Sequence, residues 1–192
     1  MPTPFELVLG VAVLVGLGVL FVFGRRLAGA FLRYRGTRVV VCPENREMVA
    51  VHVDAGHAAL SAPQGRPELR LESCTRWPEK AGCGQECLGQ IESAPQACLL
   101  RNILGDWYQG KSCAFCGRSF HAIHWHDHEP GLVAPDGKIA AWDAFRAEQV
   151  VDVLATHKPV CWDCRVAESF RREHPELVTD RPRPLGPPPS MA

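Results

Sequence analysis

The chain carries no surplus charge of either sign, since 21 Lys and Arg are matched by 21 Asp and Glu over 192 residues. A dedicated nucleic-acid binder gains its affinity by neutralising phosphates and needs a basic excess, so this balance disfavours that class and fits a protein partner better. Familiar hydrolytic machinery is missing as well. The sequence has no nucleophile elbow, no phosphate-binding loop and no His-Glu-x-x-His zinc motif, and nothing in it identifies an enzyme. Met1-Pro-Thr-Pro-Phe-Glu6 lacks the positive n-region of a secretory signal, and no small-residue cleavage site directly follows the apolar run behind it.

That run, Leu7 to Phe23, is 17 consecutive apolar or Gly residues. As a helix it covers roughly 26 Å, enough to cross a bilayer, so an uncleaved single-pass anchor is expected over residues 1–24. Arg25, Arg26, Arg33, Arg35 and Arg38 follow it. By the positive-inside rule this basic juxtamembrane segment, residues 25–36, places the N-terminus outside and the C-terminal domain in the cytoplasm. Ala12-x-x-x-Gly16 is a small-x-x-x-small pattern at which two anchors can pack into a homodimer, although a plain lipid-facing helix accounts for it too.

Nine cysteines must be read against that orientation. A reducing cytosol does not favour a disulfide framework, so clustered thiols there point to metal ligands or catalytic groups. Cys113-Ala-Phe-Cys116 and Cys161-Trp-Asp-Cys164 are two Cys-x-x-Cys pairs separated by 44 residues. Each pair can converge on one ion, and together they supply the four sulfurs preferred by structural zinc. Gly117 suits the tight backbone turn behind Cys116, where a positive φ is needed. Behind Cys164 the pattern is helical up to Pro175, so Cys161 and Cys164 open a helix.

A knuckle, a hairpin and a helix whose first turn carries the second pair resemble the treble-clef family of zinc modules, with the zinc ribbon as the alternative. The resemblance covers residues 111–174 and implies a structural zinc with Cys113, Cys116, Cys161 and Cys164 as ligands. It implies no single function, because the family serves nucleic-acid binding, protein binding and other tasks. A redox reading of Cys161-Trp-Asp-Cys164 at a helix start is the enzymatic alternative, against which stands His157-Lys-Pro159 where a long strand is expected.

Upstream, residues 37–108 read as a small antiparallel sheet with short helices. Thr37–Cys42, Glu47–Asp54 and Glu68–Ser73 are β-branched or alternating, with a Pro-Glu-Asn-Arg break making the first hairpin and a Pro- and Gly-rich loop preceding the third strand. Val49, Val51 and Val53 should face the core. Helices are expected over Gln85–Glu92 and Pro95–Leu104, the latter ending at Gly105, with Trp77, Trp107 and Tyr108 covering this core. Cys42 and Cys74 fall at the ends of the outer strands, and Cys83-x-x-x-Cys87 would share one helix face. Four of Cys42, Cys74, Cys83, Cys87 and Cys98 are therefore candidates for a second metal site, zinc first and an iron–sulfur cluster as the alternative, with inert core thiols as the structural reading.

The module at residues 109–176 holds two further expectations. His124, His126 and His128 alternate, so on a strand they would share a face as auxiliary metal ligands; solvated histidines on a hairpin arm are the plainer reading. Ala134-Pro-Asp-Gly-Lys138 marks a hairpin turn, Asp143 should cap a helix over Ala144–Thr156 with Ala147, Val151 and Leu154 inward, and Trp162, Val166 and Phe170 should pack toward the hairpin while Arg165 faces water. Residues 177–192 are too Pro-rich to join a core. The fold class that results is α+β, with a single transmembrane helix, a small antiparallel sheet with short helices, and a treble-clef-like zinc module. Its expected role is that of a membrane-anchored accessory or assembly protein acting by protein interaction.

Overall fold

The structure is a computed structural model and describes residues 4–80 and 82–178. It is mixed helix and sheet, with two compact units dividing after Leu100. The Pro-rich segment beyond Val178 lies outside the described residues.

The first unit begins with helix α1, Pro4–Tyr34, which continues without a break through the basic segment expected to flank it. Its apolar span is long enough to cross a membrane and is not buried against the other described residues. Among the described residues, only the C-terminal end of α1 packs. Ala30 and Leu27 meet Ala59 and Ala62, and these small side chains allow close approach.

Strands β1 (Thr37–Val41), β2 (Met48–Val53) and β3 (Leu71–Cys74) form an antiparallel sheet in the order β1-β2-β3. Val49, Val51 and Val53 are buried, as the alternation predicts, and Val51 sits opposite both Arg38 and Cys74. Ala50 is buried too, because its N–H is held by the Thr75 hydroxyl and its strand is covered on both faces at that point. Val40, Val49, Val51, Val53, Ala58 and Ile91 make the core of this unit, each large apolar side chain contributing about 1.5–3 kcal/mol on full burial. Arg38 is fully buried within it and reaches back to the Arg33 carbonyl, satisfying one of the last acceptors of α1.

Residues 55–61 form helix α2, Ala55–Ser61, where the sequence reading has only a loop. The missed signal is Asp54, whose carboxylate accepts from the His57 N–H at 2.8 Å and so caps the helix. Helix α3 is Leu88–Ser93, shorter than expected, so Cys83 lies in irregular chain and Cys87 at the helix entry rather than one helical turn apart. Helix α4, Leu100–Tyr108, starts five residues late and runs through Gly105. Leu99 is instead bridged to Arg38, and the chain turns out of α4 at Gly110, φ 71°.

In the second unit, β4 (Gly131–Val133) pairs antiparallel with β5 (Ile139–Ala140) and with β6 (Lys158–Val160), in the order β5-β4-β6. The Pro-Asp-Gly turn forms as read, closed by the Ala134 and Gly137 N–H groups, with Gly137 at φ 83°. Helix α5 spans only Val150–Thr156, preceded by two 3₁₀ turns at Trp142–Ala144 and Ala147–Gln149, so Asp143 caps no long helix. Its buried residues are Val150 and Val153, one position away from the expected stripe, which leaves Val151 exposed. Tyr108 is central here rather than on the upstream sheet. It packs with Leu132 and Val153 among Trp107, Phe120, Trp125, Trp142 and Phe145, donates to the Gly131 carbonyl at 2.8 Å and accepts from Trp142 Nε1 at 3.1 Å.

Helix α6, Trp162–Glu173, begins behind Cys161 as predicted, but its inward face is different. Val166 and Phe170 are 43% and 49% exposed, whereas Arg165 lies against the hairpin beside Gly131. A Cβ at Gly131 would fall 2.6 Å from Arg165 Cδ and 3.0 Å from the Ala140 carbonyl oxygen. The missing side chain is what admits the arginine stem.

Candidate metal centre

The first pair sits in a turn closed at both ends. Cys113 N–H donates to the Arg118 carbonyl and Gly117 N–H to the Cys113 carbonyl, both at 2.9 Å, while Gly117 takes φ 72° as expected. This leaves the N–H groups of Phe115 and Cys116 near the Cys113 sulfur, where they favour its thiolate. The second pair enters from β6 and α6. Cys161 precedes the helix in extended conformation and Cys164 lies in its first turn.

Two backbone bonds bring the pairs together. Ala114 N–H donates to the Pro159 carbonyl at 2.9 Å, and Cys161 N–H donates to Cys113 Sγ at 3.3 Å. An ion pair of Arg118 with Asp163 ties the turn to the start of α6 on the solvent side. The four sulfurs then all lie within 4.8 Å of one another, with Cys116 and Cys161 at 3.7 Å. A tetrahedral zinc–thiolate site has sulfur–sulfur edges of about 3.8 Å, so a metal ion fits with little rearrangement. Cys113 and Cys161 are buried, Cys164 is half-buried and Cys116 is exposed.

The electrostatics suit a cation. Burial opposes the Cys113 thiolate, but the N–H groups of Cys161, Cys116 and Phe115 outweigh it and bring this thiol down to about 7. Burial and neighbouring sulfur push Cys161 up to about 11, and the same causes raise Cys164. Without an ion, one thiolate resists the next; a divalent cation removes that conflict.

The structure treats the other candidates differently. His124, His126 and His128 lie in a turn, closed by His128 N–H donating to the His124 carbonyl at 2.9 Å, so the strand that would align their imidazoles is not formed. His128 rests edge-on against Trp162, with ring centroids 4.9 Å apart. Among the described residues, the Cys113 set alone brings three or more ligand atoms into such mutual reach. Cys42, Cys74, Cys83 and Cys87 line one cavity of the first unit, while Cys98 is apart from it, its thiol 3.7 Å from the Gln90 carbonyl. All nine cysteines are free thiols.

The fold and site thus define a mixed helix-and-sheet protein with an apolar N-terminal helix and a four-cysteine group able to hold a metal ion. The chain matches no protein-family model, no curated protein and no solved structure.

Proposed function

We propose that this is a single-pass membrane protein whose cytoplasmic part is stabilised by structural zinc and acts by binding a protein partner, as an accessory or assembly module. The observation that carries the reading is the four-sulfur group of Cys113, Cys116, Cys161 and Cys164. Four thiolates complete a tetrahedral shell and leave no position for a reactive water, so the metal would hold the turn to the helix and catalyse nothing. The order of turn, β4–β5 hairpin and α6 supports the treble-clef assignment over the zinc ribbon.

Three further features support the rest of the reading. The arginines after the apolar span favour the cytoplasmic orientation. Free cysteines throughout suit a reducing compartment. The apolar side chains of Val166, Phe170 and Leu177 stand exposed along and just beyond α6, where a partner could cover them. The thiol–disulfide alternative needs an acidic leading cysteine, and the raised Cys161 thiol weighs against it.

The test is the metal and acid-labile sulfide content, with a visible spectrum, of the full chain extracted in detergent anaerobically and without chelator. Colourless protein containing zinc is the expected result. Iron with sulfide would replace this reading by electron transfer or sensing, and metal-free protein with disulfides would overturn both the compartment and the topology.

A further inference from the structure

Cys42 lies in a turn that repeats the Cys113 turn bond for bond. Cys42 N–H donates to the Glu47 carbonyl at 2.8 Å, as Cys113 does to Arg118 at 2.9 Å. Arg46 N–H donates to the Cys42 carbonyl at 2.8 Å, as Gly117 does to Cys113. Arg46 takes φ 61° where Gly117 takes 72°, a conformation costly for an arginine. The backbone N–H groups of Glu44 and Asn45 lie near the Cys42 sulfur, as those of Phe115 and Cys116 lie near that of Cys113. This geometry presents a sulfur with its charge already partly compensated. Asn45 stands where the first turn has its second cysteine, so Cys42 needs its companions from elsewhere.

The fold supplies them. Gln90 of α3 clamps both backbone groups of Val41, accepting from its N–H at 3.1 Å and donating to its carbonyl at 2.7 Å, which fixes the α3 entry beside Cys42. Gln85 accepts from the Leu71 N–H at 2.8 Å, which fixes the Cys83–Cys87 loop against the strand that ends in Cys74. Cys42, Cys74, Cys83 and Cys87 all line one cavity of about 340 Å³, and Cys87 lies within electrostatic reach of Cys74, Cys83 and Cys42. Arg76 adds a guanidinium N–H to the Cys42 sulfur at 3.0 Å. Two clamps, a strained turn and a donor aimed at sulfur are more than inert core thiols require.

We infer that Cys42, Cys74, Cys83 and Cys87 form a second tetrathiolate site for a zinc-class divalent cation, and that Cys98 is not a ligand. The sulfurs stand further apart than in the Cys113 set, and the cavity between them gives the side chains room to close on an ion, each thiol passing its proton to solvent as the metal binds. Arg76 and Lys80 line the same cavity and pair with Glu44 at its rim, and Arg76 is the one of them that also reaches a thiol, Cys42. Cys98 faces the Gln90 carbonyl and Arg38 instead.

The experiment is cadmium NMR on the unmodified full chain in detergent, exchanged with the NMR-active cadmium isotope, with cadmium-to-proton correlation to the cysteine β-protons. Expected is a tetrathiolate resonance coupled to Cys42, Cys74, Cys83 and Cys87 and not to Cys98. Absence of any cadmium coupling to these four, or coupling to Cys98, overturns the inference. A separate resonance coupled to Cys113, Cys116, Cys161 and Cys164 reports on the downstream centre, so either site can fail without the other. Zinc content gives the second readout: Cys98→Ser should keep both ions of the unmodified chain, and Cys83→Ser combined with Cys87→Ser should lose one. Equal zinc in the unmodified chain and in that double variant overturns the inference.

Discussion

The N–H of Cys161 donates to the sulfur of Cys113 at 3.3 Å, joining the entry of α6 to a turn 48 residues earlier in the chain. That sulfur receives the Cys161 donor and lies near the N–H groups of Phe115 and Cys116, all of which favour its thiolate. In the metal-stripped protein Cys113 should ionise near pH 7, with Cys161 remaining a thiol until about pH 11. Thiolate absorbance should show the lower step and lose it in Cys113→Ser. The signs of the two linkages differ. The Cys113 contribution to metal-free stability is present above the ordinary thiol range and lost as pH falls through about 7, while that of Cys161 is present below the ordinary range and lost as pH rises through about 11.

Tyr108 bridges the Gly131 carbonyl and Trp142 Nε1 through its hydroxyl. Tyr108→Phe keeps the ring packing and removes only the hydroxyl. It should cost about 1–3 kcal/mol in the second unit, read by thermal or urea unfolding, because the buried Gly131 carbonyl loses its donor and the half-buried Trp142 Nε1 its acceptor.

Gly131→Ala places a methyl against the Arg165 stem and the Ala140 carbonyl. The arginine can shift, but the paired β5 backbone cannot without loosening the sheet. A loss of about 1–3 kcal/mol is expected, and Arg165→Ala in the same chain should recover part of it.

Phe170→Ser should cost only about 1 kcal/mol, since half of the side chain is already in water. A loss of several kcal/mol would mean that the stripe belongs to the folded core, as the helical periodicity alone suggests.

Much of this was legible before any coordinates, for a physical reason. Strong local rules governed the β1–β2 hairpin, the Pro-Asp-Gly turn, the positive φ at Gly117 and the helix opening at Cys161. Periodicity misled where a tertiary partner outweighed it. Trp162, Val166 and Phe170 recur every four residues, yet Arg165 is the side chain that lies beside Gly131, and Leu99 is drawn from its expected helix into a bridge with Arg38. Alternation at His124, His126 and His128 would align the imidazoles on a strand, but a strand needs a neighbour to pair with and the segment folds into a turn. The four-cysteine group was readable because two-residue spacings are local. The Cys42 turn was hidden because its Asn45 breaks the pattern that would reveal it.

On the proposed function, one metal ion at Cys113, Cys116, Cys161 and Cys164 holds the second unit together. The most direct measurement compares zinc content and thermal unfolding for the unmodified full chain and for Cys113→Ser with Cys116→Ser, each with and without chelator. Loss of one zinc should coincide with loss of the second unit's cooperative transition, by several kcal/mol, and chelator should make the two proteins melt alike. Unchanged zinc content with an intact transition in the variant would contradict the account.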